Sequence, residues 1–403
     1  MPAAHGQEAA IRDLPVFVVV VSAAVLAAVW VAYPLWLQLA SRSRTQLPPA
    51  LGPVTWPSVT IVVTVRNAEP WLRDLLECLL ALDYPAERRR ILVVSNASND
   101  FTDAIAASYA DRGVARLRVL RARRSAAAAE NRARPVVDSD LVAVVHPRAR
   151  PRRSALMALA SRFADLTVGV AYAREVAPRP AGGRGPAGES LYRRYERWLR
   201  ERESLVFGTV SARRALYVVR GELYRSPVAA SLSPDFAPIL AARELGYRAV
   251  YAGEAECLLA QPDTLRGSYA RTVQTLARDV TTLLLKPHLL DPRRYGAFAW
   301  ILLGHKLGRW LTSWAVLTGL GGLALLAPWS AWARAVLALA LLPALAAGVA
   351  WLLPGDEAAG GRAPLPVRVT TLLVAQAHAW LKAMQALPDF RLEPVPRPMF
   401  RRL

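Results

Sequence analysis

The chain has 403 residues, 54% of them hydrophobic, and a formal net charge of +20. That length holds one large domain plus membrane spans. The positive charge is almost wholly arginine, with Lys286, Lys306 and Lys382 the only lysines. Beside so much alanine this reads as compositional bias, and no aromatic-basic motif accompanies it, so a nucleic-acid partner is excluded. Cys78 and Cys257 are the only cysteines. They lack metal-site spacing and suit a reducing compartment as small core residues.

Leu14 to Ala40 is uncharged and about the length a bilayer requires. Arg42 and Arg44 follow at once, which places the next domain in the cytoplasm by the positive-inside rule. The stretch from Leu47 to Pro57 is a linker. Ser58-Val59-Thr60-Ile61-Val62-Val63-Thr64 is β-branched and apolar, the pattern of a buried strand. Asn67-Ala68-Glu69-Pro70 starts a helix, with Asn67 the capping candidate. Trp71-Leu72-x-x-Leu75-Leu76-x-x-Leu79-Leu80 carries the spacing of an amphipathic helix. Arg90–Ser95 is a second strand, and Asn96–Asp100 a polar loop. This is a βαβ unit, whose ligands bind at the carboxyl ends of the strands, Thr64–Glu69 and Ser95–Asp100.

Alternation then continues to about residue 260. Helices are expected over Ala104–Asp111, Ala126–Ala133, Ser154–Ala164 and Leu191–Glu203, and strands over Arg116–Leu120, Leu141–Val145 and Val168–Tyr172. Pro178–Gly188 is a Gly/Pro-rich loop. Beyond it, Gly267–Leu285 is a moderately apolar helix. Tyr295–Trp310 reads as an interfacial helix, with cations snorkelling and Trp300 and Trp310 at headgroup level. Two spans follow, Leu311–Trp329 and Ala331–Leu353, then a loop over Pro354–Pro366. Val367–Leu387 is a weak span or a second interfacial helix. Arg391, Arg397, Arg401 and Arg402 should stay in the cytoplasm unless that segment spans.

The order and residues of the first half resemble the family 2 glycosyltransferases of the membrane-bound branch. That family reads strand, Pro-x-Tyr-Asn-Glu, helix, Asp-Tyr-Pro, strand, Asp-Gly-Ser-x-Asp. Asn67, Leu82-Asp83-Tyr84-Pro85, Val93-Val94, Ser98 and Asp100 match it. Gly304-His305-Lys306-Leu307-Gly308-Arg309-Trp310 is similar to the family's His-Lys-x-x-Arg-Trp. The resemblance covers roughly residues 14–330. It implies an α/β fold of GT-A type over residues 57–260, with a mainly parallel sheet and helices on both faces. Amphipathic helices over 261–310, spans over 14–40 and 311–353, and the weak segment 367–387 complete the expected organisation. A multi-pass protein of the cell (inner) membrane is implied, with the main domain cytoplasmic.

The resemblance also implies a nucleotide-sugar donor, with Asn67, Glu69, Asn96, Asp100 and Arg148 at the nucleotide. The family holds a divalent metal on Asp-x-Asp after its fourth strand. Here that motif becomes His146-Pro147-Arg148, which lacks the oxygen ligands Mg²⁺ or Mn²⁺ require, so no metal cofactor is expected. The catalytic base is expected beyond a loop at Ser226–Ser231, where the family's acid pair reads Pro234-Asp235. Asp235 is therefore the candidate base, or a helix cap. The family's Lys falls on Ala126, five residues before the retained Asn131 of its Leu-Asn pair. Its later basic pair falls near Thr272 and Gln274, with Arg271 and Arg278 nearby. Its Gly-Ala-Asn-Gly reads Ser211-Ala212-Arg213-Arg214, and its leading Asp reads Asn96.

These departures cluster on the expected ligand face, while the strand-packing residues are intact. Three readings follow. The first is a non-catalytic member acting in polysaccharide or glycolipid assembly, beside an active glycosyltransferase or another assembly protein. The second is a metal-independent inverting transferase, in which Arg148 and Arg150 supply the metal's charge and Asp235 is the base. The third is a protein binding anions or membrane lipid through the Arg150–Arg153 and Arg193–Arg202 clusters.

Overall fold

The computed structural model describes residues 2–44, 55–119, 126–177, 191–212, 214–226, 232–259, 265–352 and 364–390. Most of the linker from Leu47 and the loop Pro178–Gly188 lie outside them. So do Pro227–Ser231, most of Pro354–Pro366, and the C-terminal arginines. The chain divides into two compact units. One is built mainly from residues 40–261, the other from the N-terminal helix and the C-terminal helices.

The first unit opens with β1 (Val59–Val65), α3 (Glu69–Leu80) and β2 (Arg89–Asn96), after α1 (Pro2–Ala27) and α2 (Tyr33–Ser41) of the N-terminal helix. β1 and β2 are parallel, in register from Val59↔Arg89 to Val65↔Ser95. Leu72, Leu75, Leu76 and Leu79 are fully buried beneath the sheet. Each such side chain contributes about 2 kcal/mol of apolar burial. The cap of α3 is Ala68 rather than Asn67. Thr102 Oγ1 accepts from the Ala68 N–H at 2.7 Å, so the donor is satisfied from the neighbouring loop.

α4 (Thr102–Ala107), β3 (Val114–Val119), α5 (Ala126–Ala133), β4 (Leu141–Val145), β5 (Ala149–Pro151), α6 (Ala155–Ala160) and β6 (Val168–Val176) follow. Then come α7 (Leu191–Val206), β7 (Leu216–Arg220), α8 (Gly221–Arg225), α9 (Ala237–Glu244) and β8 (Arg248–Leu259). The eight strands run in the order β3-β2-β1-β4-β7-β6-β8-β5. The expectation of a mainly parallel sheet is corrected to a mixed one. β4–β7, β6–β7 and β5–β8 are antiparallel, against four parallel pairs. The helical crossovers of the first half force parallel pairing. β7 reverses between β4 and β6, and its apolar run Leu216-Tyr217-Val218-Val219 is buried. The tight corner at Gly221 permits this: a Cβ there would lie 2.1 Å from the Ser139 carbonyl oxygen. Cys257 is fully buried and Cys78 half-buried, both as free thiols.

In the second unit the N-terminal helix packs along α13 (Arg309–Leu326), and α10 (Leu265–Leu284), α14 (Ala331–Leu352) and α15 (Leu365–Phe390) belong to the same unit, whereas α11 (Pro292–Tyr295) and the start of α12 (Ala297–Ile301) belong to the first. Two π-helical segments, Ala28–Ala32 and Leu302–Gly308, meet there. Glycine makes this approach possible, because a Cβ at Gly304 would lie 2.2 Å from the Tyr33 ring. Close backbone packing is reinforced by Ser22–Thr318 and Trp30–Thr312 hydrogen bonds of 3.1 and 3.2 Å. The expected snorkelling is corrected at Lys306. Its Nζ turns inward to Asp279, 2.9 Å away, and lies 5.5 Å from the ring of Trp310, which is buried rather than at an interface. Among the described residues, Asp13–Ser41 and Ala331–Val349 are long and apolar enough to cross a membrane. α13 is not among them.

Candidate active site

The carboxyl ends of β1 and β2 carry a closed polar network. Ser98 Oγ accepts from the Asn67 N–H at 3.2 Å, and Asn67 Oδ1 from the Asn99 N–H at 3.1 Å. Glu69 Oε2 accepts from the Phe101 N–H, and Asp100 from the Glu69 and Thr102 N–H groups. Burial opposes ionisation of Asp100, but these hydrogen bonds outweigh it and lower its pKa. Asn67, Glu69 and Asp100 are thus brought together as expected, with these oxygens bonded to the facing loop. Asn96 sits beside them at the end of β2, buried. Asn67 and Ala97 adopt left-handed backbone conformations, φ 48° and 50°. Ala97 stands where the family motif has Gly, so the turn is retained with a Cβ it does not favour.

β4 delivers His146-Pro147-Arg148 to the adjacent strand end. His146 Nδ1 accepts from the Arg148 N–H at 3.2 Å, which turns the imidazole onto its own loop. The Arg148 side chain is exposed. Arg150 points elsewhere: its guanidinium donates to the carbonyls of Ala149 and Trp71, at 3.0 and 3.4 Å. A surface cavity lined by Asp83, Arg152, Arg153, Ser154, Glu254 and Glu256 includes Arg152 and Arg153 of the Arg150–Arg153 cluster, but none of the residues expected at the nucleotide or as base.

A second group lies in the interior around α5 and β7. Glu130 is 3% exposed and Arg134, one turn later, 7%. Arg214, just ahead of β7, donates to Glu130 Oε2. Arg134 reaches Glu130 Oε1 at 3.4 Å and Asn131 Oδ1 at 2.8 Å, and donates to the carbonyls of Tyr224 and Ser226. Its guanidinium lies 4.5 Å from the centre of the Tyr224 ring. Burial acts to lower the pKa of Arg214, but the charges of Glu130, Tyr217 and Asp235 outweigh it and hold it above the usual value. The backbone carbonyl of Asp235 accepts from the Tyr172 hydroxyl at 3.1 Å. The N-cap of the following helix is Phe236, without a side-chain cap, so Asp235 does not cap it; Ser233 Oγ accepts from the Phe236 N–H at 3.3 Å.

Glu130, Arg134 and Tyr224 are not singled out by the sequence, and Arg214 only as one of the departures from the family pattern. The signal was present. Glu130 takes the Leu position of the family's Leu-Asn pair and Arg214 the last Gly of Gly-Ala-Asn-Gly, two charged departures of opposite sign. A Glu and an Arg four apart in an alanine helix are also unusual at a buried face.

Residues 60–215 match the family model for glycosyl transferase family 2. The α/β unit resembles glycosyl transferase family 2 over those residues. Its GT-A-type fold is shared with the mannosyltransferase PcManGT from Pyrobaculum calidifontis, solved in complex with GDP-Man and Mn²⁺. That structure is 24% identical, with 91% of this chain and 99% of that one covered and a TM-score of 0.70. S. aureus TarS (residues 1–349, with UDP) is 15% identical over 83% of this chain and 91% of that one, with a TM-score of 0.40. Glucosyl-3-phosphoglycerate synthase from Mycobacterium tuberculosis is 16% identical over 60% and 81%, with a TM-score of 0.37. A comparison with curated proteins finds no match.

The fold therefore raises the question of a divalent cation. In this family 2-like domain the donor set at the end of β4 is one imidazole and no carboxylate, which does not fit Mg²⁺ or Mn²⁺. Among the described residues no group of three or more His, Cys, Asp or Glu side chains could hold a metal.

Proposed function

We propose that the chain is a membrane-held, family 2-like protein that keeps the glycosyltransferase fold without sugar transfer and serves polysaccharide or glycolipid assembly. In this reading it lies in the cell (inner) membrane with its α/β domain in the cytoplasm. Its partner is an active glycosyltransferase or another assembly protein. The observation that carries the reading is the Glu130–Arg214 ion pair. A charged, bonded pair stands where the family has an apolar residue and a glycine. Membrane attachment is supported by the two long apolar helices and by Arg42 and Arg44 after the first.

The same geometry supports a second reading, a metal-independent inverting transferase using a nucleotide sugar. Asp235 is the base in this reading, and the exposed Arg148 at the end of β4 supplies positive charge for a diphosphate. Sugar transfer in native membranes, with partner proteins present, separates the two. Asp235→Asn and Arg148→Ala should each leave polysaccharide output unchanged at normal expression. Loss of transfer in both would replace the first reading with the second.

A further inference from the structure

Arg243, in the last turn of α9, is held by aromatic rings instead of by hydrogen-bond acceptors. Its guanidinium carbon lies 4.4 Å from the centre of the Phe207 ring, 5.5 Å from that of Tyr295 and 5.8 Å from that of Phe298. Each distance is within cation–π reach. Phe207 follows α7, and Tyr295 and Phe298 come from α11 and α12, so three segments of the α/β unit meet at one side chain. Gly296, at φ 55°, makes the turn between α11 and α12 in a conformation that a Cβ disfavours. Tyr295 and Phe298 are buried, and Phe207 meets Phe298 edge to face at 6.2 Å.

A guanidinium carries five N–H donors in one plane, and contact with a ring satisfies none of them. Arg243 Nε is buried without a hydrogen-bond partner, and neither Nη bonds to or pairs with any described residue. Burial disfavours the charge and lowers the pKa of the group. A buried donor left unbonded is costly and marks a place for an ion or a water. Arg294 brings a second charge. It is exposed, its guanidinium lies 5.4 Å from the centre of the same Tyr295 ring, and it has no ion-pair partner among the described residues. β4 and β6 both oppose β7, and β8 is parallel to β6, so β8 runs in the direction of β4. Arg243 precedes β8 by a short turn and therefore lies at the amino end of the sheet, away from the strand ends that carry Asn67, Glu69 and Arg148. We propose that Arg243 and Arg294 form a binding site for a phosphate monoester. Such a group carries about −1.5 to −2 charge at neutral pH, which two guanidinium groups match. The planar fork of Arg243 suits two of its oxygens. A soluble phosphomonoester and the headgroup of a phosphatidic acid share this chemistry. The site is independent of whether the domain transfers sugar.

The test is calorimetric titration of the full chain, in neutral detergent, with glycerol 3-phosphate and with a short-chain phosphatidic acid. Both should bind saturably. Tighter binding of the lipid assigns the site to a membrane ligand, and equal or tighter binding of glycerol 3-phosphate to a soluble one. Arg243→Lys keeps the charge and loses the fork, and should weaken both ligands about tenfold. Arg294→Gln, at an exposed position, should weaken both by less. Absence of saturable binding of either ligand, or wild-type affinity in Arg243→Lys, would overturn the proposal. If Arg243→Lys does not fold, Arg294→Gln decides, and unchanged affinity in that variant would overturn it.

Discussion

Arg214 donates to Glu130 inside the α/β domain, and each residue replaces one that carries no charge in the family pattern. Their opposite signs make the two departures a matched pair. A buried ion pair is costly to break from one side, because the surviving charge stays in a poorly solvating interior.

Glu130→Leu alone leaves Arg214 and Arg134 buried without their shared carboxylate. It should destabilise the domain by about 3–5 kcal/mol in denaturant unfolding. Arg214→Gly should also destabilise. The double variant Glu130→Leu/Arg214→Gly should fall short of the sum of the single effects by about 1–3 kcal/mol. Additive single effects would show that the pair is not coupled.

Ala97 holds φ 50°, a conformation Gly adopts freely. Ala97→Gly should therefore stabilise the domain by about 1 kcal/mol, read as a higher denaturation midpoint at unchanged slope. A drop in stability would mean that the Ala97 methyl packs usefully.

The corner after β7 makes the opposite prediction. Gly221→Ala drives a Cβ into the Ser139 carbonyl. It should cost about 1–3 kcal/mol or more and lower soluble expression. Wild-type stability in this variant would contradict the corner geometry.

Much of the fold could be read in the sequence because packing repeats. The leucines of α3 and the β-branched run of β1 have the periods that helix and strand impose. The reversal at β7 could not be read that way, since a short apolar run looks the same whichever way it points. The site divides along the same line. Asn67, Glu69 and Asp100 were legible because they are local to one βαβ unit. The pair Glu130 and Arg214 is assembled from two distant segments, and only the fold brings them together.

Acid should loosen the domain at two loops. Hydrogen bonds from the Ser58 side chain and N–H lower the pKa of Asp140, and those at Asp100 lower its pKa against burial. A carboxylate whose folded pKa is depressed gives stability that is full above its unfolded value and is lost as pH falls through the folded one. Stability should be flat from neutral pH down to about 4 on account of these two groups and decline below it. Asp140→Asn should flatten the decline. An unchanged acid limb in that variant would remove Asp140 from the account.

The proposed non-catalytic reading holds that the glycosyltransferase-type fold persists without a working metal and donor site. The most direct measurement is calorimetric titration of the full chain in detergent with GDP-mannose and UDP-GlcNAc, each with and without Mn²⁺. The account predicts no saturable binding of either donor and no effect of Mn²⁺. Saturable, Mn²⁺-dependent binding of either nucleotide sugar would contradict it.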